Sequence, residues 1–156
     1  NPKDAMFLNH GYVDLFYVTD NGSEKSISGA YTIEMNSPFF KMKEFSCRCH
    51  YDDCKESNQF MDERFLEILF KMRAQVDFPF LITSGFRCER HNKNVNGSKN
   101  SYHTKGLAAD IACSNDYDRY ELIEQAIAHG LTVIVYRSFV HVDLRPGLPK
   151  LMRGSY

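Results

Sequence analysis

Ser101-Tyr102-His103-Thr104-Lys105-Gly106-Leu107-Ala108-Ala109-Asp110 is the stretch that decides the fold of this chain. Apolar and polar positions alternate over residues 107–112, which predicts a β-strand that carries Asp110. Asp110 then shares its face of the strand with two alanines, and these small side chains leave room for a metal ion. His103 precedes the strand by a few residues, so both side chains can be directed at one ion.

A further imidazole follows at His141, in the run Phe139-Val140-His141-Val142-Asp143. This run also alternates, so one face of the predicted strand belongs to the core while His141 and Asp143 share the other. Two imidazoles and one carboxylate, with a fourth position open to water, are typical of a catalytic zinc site rather than a structural one. The sequence therefore predicts Zn²⁺ bound by His103, Asp110 and His141, and hydrolytic chemistry.

Three blocks of the sequence resemble a known enzyme family. The blocks are residues 101–110, the downstream run with His141, and the upstream run Ile82-Thr83-Ser84-Gly85-Phe86-Arg87-Cys88-Glu89-Arg90-His91-Asn92. Together they resemble the bacterial and phage D-alanyl-D-alanine-type zinc metallopeptidases, which share their fold with hedgehog signalling domains. The resemblance covers about residues 39–146. It implies an α+β domain of the hedgehog/DD-peptidase type, in which helices pack on an antiparallel sheet.

The resemblance also implies an active-site role for Arg87. Its fixed charge and forked donors suit a developing oxyanion or a substrate carboxylate, whereas the simpler interpretation is a surface ion pair. Better-known branches of the family carry Glu or Asp three residues before the last His, but Ser138 occupies that position here. Asp143 is the nearest alternative. It could act as the general base or orient a zinc ligand, and the sequence leaves both roles open.

Composition bounds the organisation of the chain. Its 156 residues, 43% of them hydrophobic, suffice for one globular domain. We expect a zinc peptidase domain over residues 39–156, preceded by an extension over residues 1–38 that contains a β-hairpin. With 19 basic and 20 acidic residues, the chain has no broad positive field for nucleic acid, and no apolar run is long enough to span a membrane.

Local patterns predict the remaining elements. The hairpin covers residues 11–34, with a turn at Asp20-Asn21-Gly22-Ser23 and a return strand from Ser26. The main domain should contain helices over residues 61–76 and 89–95, a strand over residues 80–83, and a closing hairpin of residues 131–136 and 139–145. A third helix, capped by Ser114 or Asn115, should end at Gly130 and bury one apolar side: Tyr120, Ile123, Ala126 and Ile127.

The five cysteines cannot all pair within the chain, because their number is odd. Cys47, Cys49, His50 and Cys54 are close enough in sequence to form a second, structural zinc site, although reduced thiols or a local disulfide would also fit. We expect Cys88 and Cys113 to be small buried residues.

These observations favour a zinc-dependent peptidase. The family resemblance implies that its substrate is a peptidoglycan peptide cleaved next to a D-amino acid, by a carboxypeptidase or an endopeptidase, in wall remodelling or phage lysis. It would act at the cell wall, whether periplasmic, on the cell surface or delivered by a phage. Because Ser138 replaces the usual acid, one alternative is a hedgehog-like zinc module that binds a partner without turnover. A third hypothesis is a redox or structural zinc protein centred on Cys47 to Cys54. The oligomeric state stays open.

Overall fold

The structure is a computed structural model and describes residues 15–18, 24–27 and 39–155. The chain divides into two compact units, Asn1–Lys41 and Met42–Tyr156. In the first unit, strand β1 (Leu15–Val18) pairs antiparallel with strand β2 (Glu24–Ile27). The rest of the hairpin predicted over residues 11–34 lies outside the described residues.

The second unit is built on a five-stranded sheet with the order β3-β4-β6-β5-β7. Its strands are β3 (Leu81–Ser84), β4 (Ala108–Ala112), β5 (Thr132–Val135), β6 (Phe139–Asp143) and β7 (Leu151–Arg153). The first four are joined by antiparallel pairings, but β7 runs parallel to β5. The expectation of a wholly antiparallel sheet is therefore wrong at this edge. A strand of three residues is too short to show a period of two, so the sequence pattern did not predict β7.

Within residues 39–155, three α-helices accompany the sheet: α1 (Glu63–Ala74), α2 (Glu89–Asn94) and α3 (Asp116–Ala128). Asp62 caps the start of helix α1, and its carboxylate accepts hydrogen bonds from the backbone N–H groups of Arg64 and Phe65. It buries one apolar side, made of Phe65, Leu66, Leu69, Phe70 and Met72. Single 3₁₀ turns occur at Met42–Phe45, Asp52–Cys54, Ser57–Phe60 and Tyr102–Lys105.

The buried side of α3 differs from the predicted one. Leu122 and Ala126, one helical turn apart, are fully buried, whereas Tyr120 is 64% exposed and Ile127 41% exposed. The prediction is confirmed at Ala126 and wrong at Tyr120 and Ile127, because it followed the large apolar residues and omitted Leu122.

The sheet separates the core from the candidate site. Helix α3 packs against β5 and β6, and also contacts α1. The strand positions that make up the core are Ala109, Ile111, Val133, Val140 and Val142, all buried. On the opposite face, Asp110 of β4 pairs directly with His141 of β6, and Ala108 pairs with Asp143. Two adjacent strands therefore bring the polar residues together.

Among the described residues, no helix has the length and apolar character needed to cross a membrane.

Candidate active site

His103, Asp110 and His141 converge on one point, and all three are buried. His103 Nε2 lies 3.2 Å from Asp110 Oδ1, and His141 Nδ1 lies 2.8 Å from the same oxygen. Ligand atoms about 2 Å from a tetrahedral zinc ion are roughly 3.3 Å apart, so these separations fit one ion with little rearrangement. The donor set of two imidazole nitrogens and one carboxylate oxygen also suits zinc. The structure thus brings the three predicted ligands together.

The backbone carbonyl of Gly85 fixes the orientation of His103. His103 Nδ1 donates to this carbonyl at 2.8 Å, and this hydrogen bond directs Nε2 toward Asp110. Gly85 cannot carry a side chain, because a Cβ there would lie 2.6 Å from the Cα of Phe45. This carbonyl is a functional group that sequence analysis missed.

Gly106 ends the 3₁₀ turn that carries His103. Its φ of +70° is in the left-handed region, and a Cβ would lie 2.0 Å from the carbonyl oxygen of Phe60. Its own carbonyl accepts a hydrogen bond from the N–H of Asp62 at 2.9 Å. The glycine of the motif is thus required by conformation and by space.

Asp143 holds the far side of the His141 ring. Its Oδ2 lies 2.7 Å from His141 Nε2, while His141 Nδ1 faces Asp110. Arg145 donates hydrogen bonds to the same carboxylate, from Nε to Oδ1 at 2.8 Å and from Nη2 to Oδ2. Asp143 is 0% exposed. Both of its oxygens are therefore engaged, and the imidazole ring stands between this carboxylate and the point where the three ligand atoms meet.

The charges of this cluster stabilise one another. Burial acts to raise the pKa of Asp110, but hydrogen bonds from His103 and His141 outweigh burial and hold that pKa below its usual range. Burial likewise opposes ionisation of Asp143, yet His141 and Arg145 lower its pKa. Burial acts to lower the pKa of His141, and the two carboxylates raise it instead. The site thus keeps its carboxylates ionised although they are buried, as a cation ligand requires.

Arg87 reaches the edge of the cluster. Its Nη2 lies 4.0 Å from Asp110 Oδ2, and the side chain is 16% exposed. Asn92 Oδ1 accepts from Nη1 at 3.2 Å, and the hydroxyl of Ser84 lies 3.4 Å from Nη2. The Arg87 backbone N–H also donates to the carbonyl of His103 at 3.1 Å. The predicted cation therefore lies beside the three predicted ligands.

Residues 38–143 match the family model described as Peptidase M15. The chain belongs to the peptidase M15 family. This is the family of D-Ala-D-Ala zinc peptidases, so the resemblance inferred from sequence is confirmed. No match to the chain is found among curated proteins.

Ser138 stands three residues before His141, at the position where the resemblance led us to expect an acidic residue. It lies exposed between β5 and β6, and its backbone carbonyl accepts a hydrogen bond from the N–H of Cys113. A hydroxyl at this position does not replace a carboxylate as a base at neutral pH.

Asn92 is the side chain near the M15 site that sequence analysis quoted but gave no role. It is buried, donates through Nδ2 to the carbonyl of Ser98 at 2.9 Å, and accepts from Arg87. Gly97 packs on it so closely that a Cβ at residue 97 would lie 2.0 Å from Asn92 Oδ1. A polar residue on the short helix that follows Arg87 was the available signal.

Proposed function

We propose that this chain is a zinc-dependent peptidase that hydrolyses peptidoglycan peptide bonds next to a D-amino acid. Membership of the M15 family supports zinc peptidase activity, and a peptide is the substrate class that the family implies. The observation that carries the proposal is the convergence of His103, Asp110 and His141, with Arg87 4.0 Å from Asp110.

In this proposal, His103 Nε2, an oxygen of Asp110 and His141 Nδ1 hold the zinc ion. Bound there, zinc supplies a Lewis acid that activates water and polarises a peptide carbonyl. The hydrogen bond from His103 to the Gly85 carbonyl fixes one imidazole. The direct pairing of Asp110 with His141 across β4 and β6 fixes the other two ligands relative to each other.

Asp143 is proposed as a positioning residue for His141. Sequence analysis left two roles open for it, and the engagement of both carboxylate oxygens by His141 and Arg145 favours the orienting one. A carboxylate that accepts a hydrogen bond from the Nε2–H group of a metal-binding imidazole fixes the tautomer and makes Nδ1 a better ligand.

Arg87 is proposed as the cation that binds developing negative charge or a terminal carboxylate of the substrate. Asn92 and Ser84 hold the guanidinium from one side, so its orientation is set before substrate arrives. The two roles differ in kinetics. Oxyanion stabilisation raises kcat, whereas recognition of a ground-state carboxylate lowers KM.

The test uses three synthetic peptides of one sequence. The first ends in D-Ala–D-Ala, the second in L-Ala–L-Ala, and the third is the first with an amidated C-terminus. The zinc-loaded protein should cleave the D,D peptide and spare the L,L peptide, and cleavage should stop with a chelator and with His103→Ala. Cleavage of the L,L peptide at an equal rate would contradict the proposed specificity.

Arg87→Gln, with Arg87→Lys as the conservative control, separates the two roles of the arginine. Loss of an oxyanion donor should lower kcat about 10²–10³-fold on both the free and the amidated D,D peptide. Loss of carboxylate recognition should instead raise KM for the free peptide alone, which would indicate a carboxypeptidase. Unchanged kinetics on both peptides would remove Arg87 from the site.

A second candidate function is a hedgehog-like zinc module that binds a partner without turnover. The exposed Ser138, in the position of the usual acid, is the observation that favours it. It predicts stoichiometric zinc at the His103 site together with no chelator-sensitive cleavage of any of the three peptides.

A further inference from the structure

A second cluster of metal-binding side chains lies apart from His103, Asp110 and His141 and includes Cys88, the residue after Arg87. The sulfur atoms of Cys47, Cys49, Cys54 and Cys88 all lie within 4.8 Å of one another. Cys47 and Cys49 follow the 3₁₀ turn Met42–Phe45, Cys54 ends the turn Asp52–Cys54, and Cys88 caps helix α2. Three separate pieces of chain thus deliver four thiols to one point.

The spacing of the sulfurs suits a metal better than a disulfide. The Sγ atoms of Cys49 and Cys88 are 3.9 Å apart, and all five cysteines are free. A disulfide bond is about 2 Å long, whereas sulfurs about 2.3 Å from a tetrahedral zinc ion lie roughly 3.8 Å apart. One disulfide also uses two thiols, whereas four thiols converge here.

Hydrogen-bond donors surround these sulfurs. The backbone N–H of Cys88 points at Cys47 Sγ, and the N–H of His91 at Cys88 Sγ, both at 3.4 Å. His91 Nδ1 lies 3.2 Å from Cys47 Sγ. Thiolate ligands of metal ions are stabilised by such donors, whereas a buried neutral thiol needs none of them.

The loop that carries the first three cysteines is held independently of any metal. Ser57 is buried, accepts a hydrogen bond from the N–H of Cys47 at 2.8 Å, and donates to the carbonyl of Cys54 at 2.6 Å. This serine ties the two ends of the loop together and holds the backbone at Cys47 beside the backbone at Cys54.

We propose that Cys47, Cys49, Cys54 and Cys88 form a structural zinc site distinct from the His103, Asp110 and His141 site. Four thiolates in a tetrahedral arrangement leave no position for water, which is typical of a structural zinc. The set differs from the one considered from sequence. His50 is exposed and is not part of the cluster, whereas Cys88, expected as a small buried residue, supplies the fourth sulfur.

The site has a consequence for Arg87, which immediately precedes Cys88. A metal bound to Cys88 fastens the start of α2 to the loop of residues 47–54, and with it the backbone that carries the guanidinium. The cluster therefore fixes the position of Arg87 without touching substrate. This consequence rests on the proposed function, whereas the metal site itself does not.

The experiment counts zinc per chain by mass spectrometry in protein purified under reducing conditions without chelator. We expect two zinc ions in the wild type, one in Cys54→Ser, one in His103→Ala and none in the double variant. Cys113→Ser is the matched control, because Cys113 is buried and lies outside the cluster, and it should keep two. The count does not depend on turnover, so a failure of the peptidase proposal leaves it intact.

Two measurements on the wild type guard against a variant that fails to fold. Cobalt substituted for zinc should give intense thiolate-to-metal charge-transfer absorption, which an imidazole and carboxylate site cannot produce. A thiol reagent should titrate all five cysteines after denaturation with chelator. In the native zinc form it should titrate at most one, Cys113. Three results would each overturn the assignment. The first is one zinc ion per chain that is lost only with His103→Ala, the second is fewer than five titratable thiols in unreduced denatured protein, and the third is iron bound in place of zinc.

Discussion

Replacement of Gly106 by alanine measures how tightly the His103 turn is packed. The residue has a φ of +70°, and an added Cβ would lie 2.0 Å from the Phe60 carbonyl oxygen and 2.9 Å from the Cα of Met61. A left-handed conformation costs an alanine roughly 1–2 kcal/mol, and overpacking against backbone adds about 1–3 kcal/mol. We therefore expect Gly106→Ala to lower the free energy of unfolding by about 2–5 kcal/mol.

Gly130 provides a matched control, because it has a φ of +79° and nothing within 4 Å of an added Cβ. Gly130→Ala should show the conformational cost alone, roughly 1–2 kcal/mol. Equilibrium unfolding in urea, monitored by circular dichroism, gives both values. The difference between the two variants isolates the steric contribution at Gly106.

The same pair of variants tests the link between this turn and the metal site. The Gly106 N–H donates to the carbonyl of His103 at 3.3 Å, so a backbone shift at Gly106 moves a proposed ligand. Zinc affinity, measured by competition with a coloured chelator, should fall in Gly106→Ala and stay unchanged in Gly130→Ala. Equal losses of stability in the two variants, or unchanged zinc affinity in both, would refute this reasoning.

Three further predictions concern single side chains. Asp143→Asn should weaken zinc binding about 10–100-fold if the carboxylate orients His141, whereas full zinc affinity with lost turnover would identify a general base. Asp62→Ala should cost about 1 kcal/mol near neutral pH. Burial opposes ionisation of Asp62, but its hydrogen bonds lower its pKa in the folded state. The difference in free energy of unfolding between wild type and Asp62→Ala should therefore disappear as the pH falls through that lowered pKa. Denaturant melts of both proteins at several pH values check this, and a difference that stays constant with pH would contradict it. Leu69→Ala should cost about 2–5 kcal/mol, and Leu81→Ala, at a side chain that is 61% exposed, less than about 0.5 kcal/mol; equal costs in urea melts would contradict the assigned core.

Regular elements of the main unit could be predicted because their signals are local. The spacing of Phe65, Leu69 and Met72 indicates helix α1, and the alternation around Asp110 indicates β4. Local signals failed where contacts between elements, and not the sequence pattern within one element, decide which residues are buried or paired. Helix α3, which contacts β5, β6 and α1, buries Leu122, and β7 exists because a short segment pairs with the edge of β5.

In the candidate site, too, some residues could be predicted from the sequence and others could not. His103, Asp110 and His141 were identified because their types and order resemble a family, and the structure brings them together. The Gly85 carbonyl was missed because a backbone oxygen has no signature in sequence. Cys88 was expected to be a small buried residue because free cysteine usually packs as a hydrophobe. It lies 34 positions after Cys54 in the sequence, and only the fold brings the two sulfurs together.

Digestion of purified peptidoglycan tests the central claim most directly. The zinc-loaded protein should release fragments whose masses correspond to hydrolysis beside a D-amino acid, and chelator or His103→Ala should abolish their release. Intact peptidoglycan, with one zinc ion still bound at the His103, Asp110 and His141 site, would contradict the peptidase and favour the binding module.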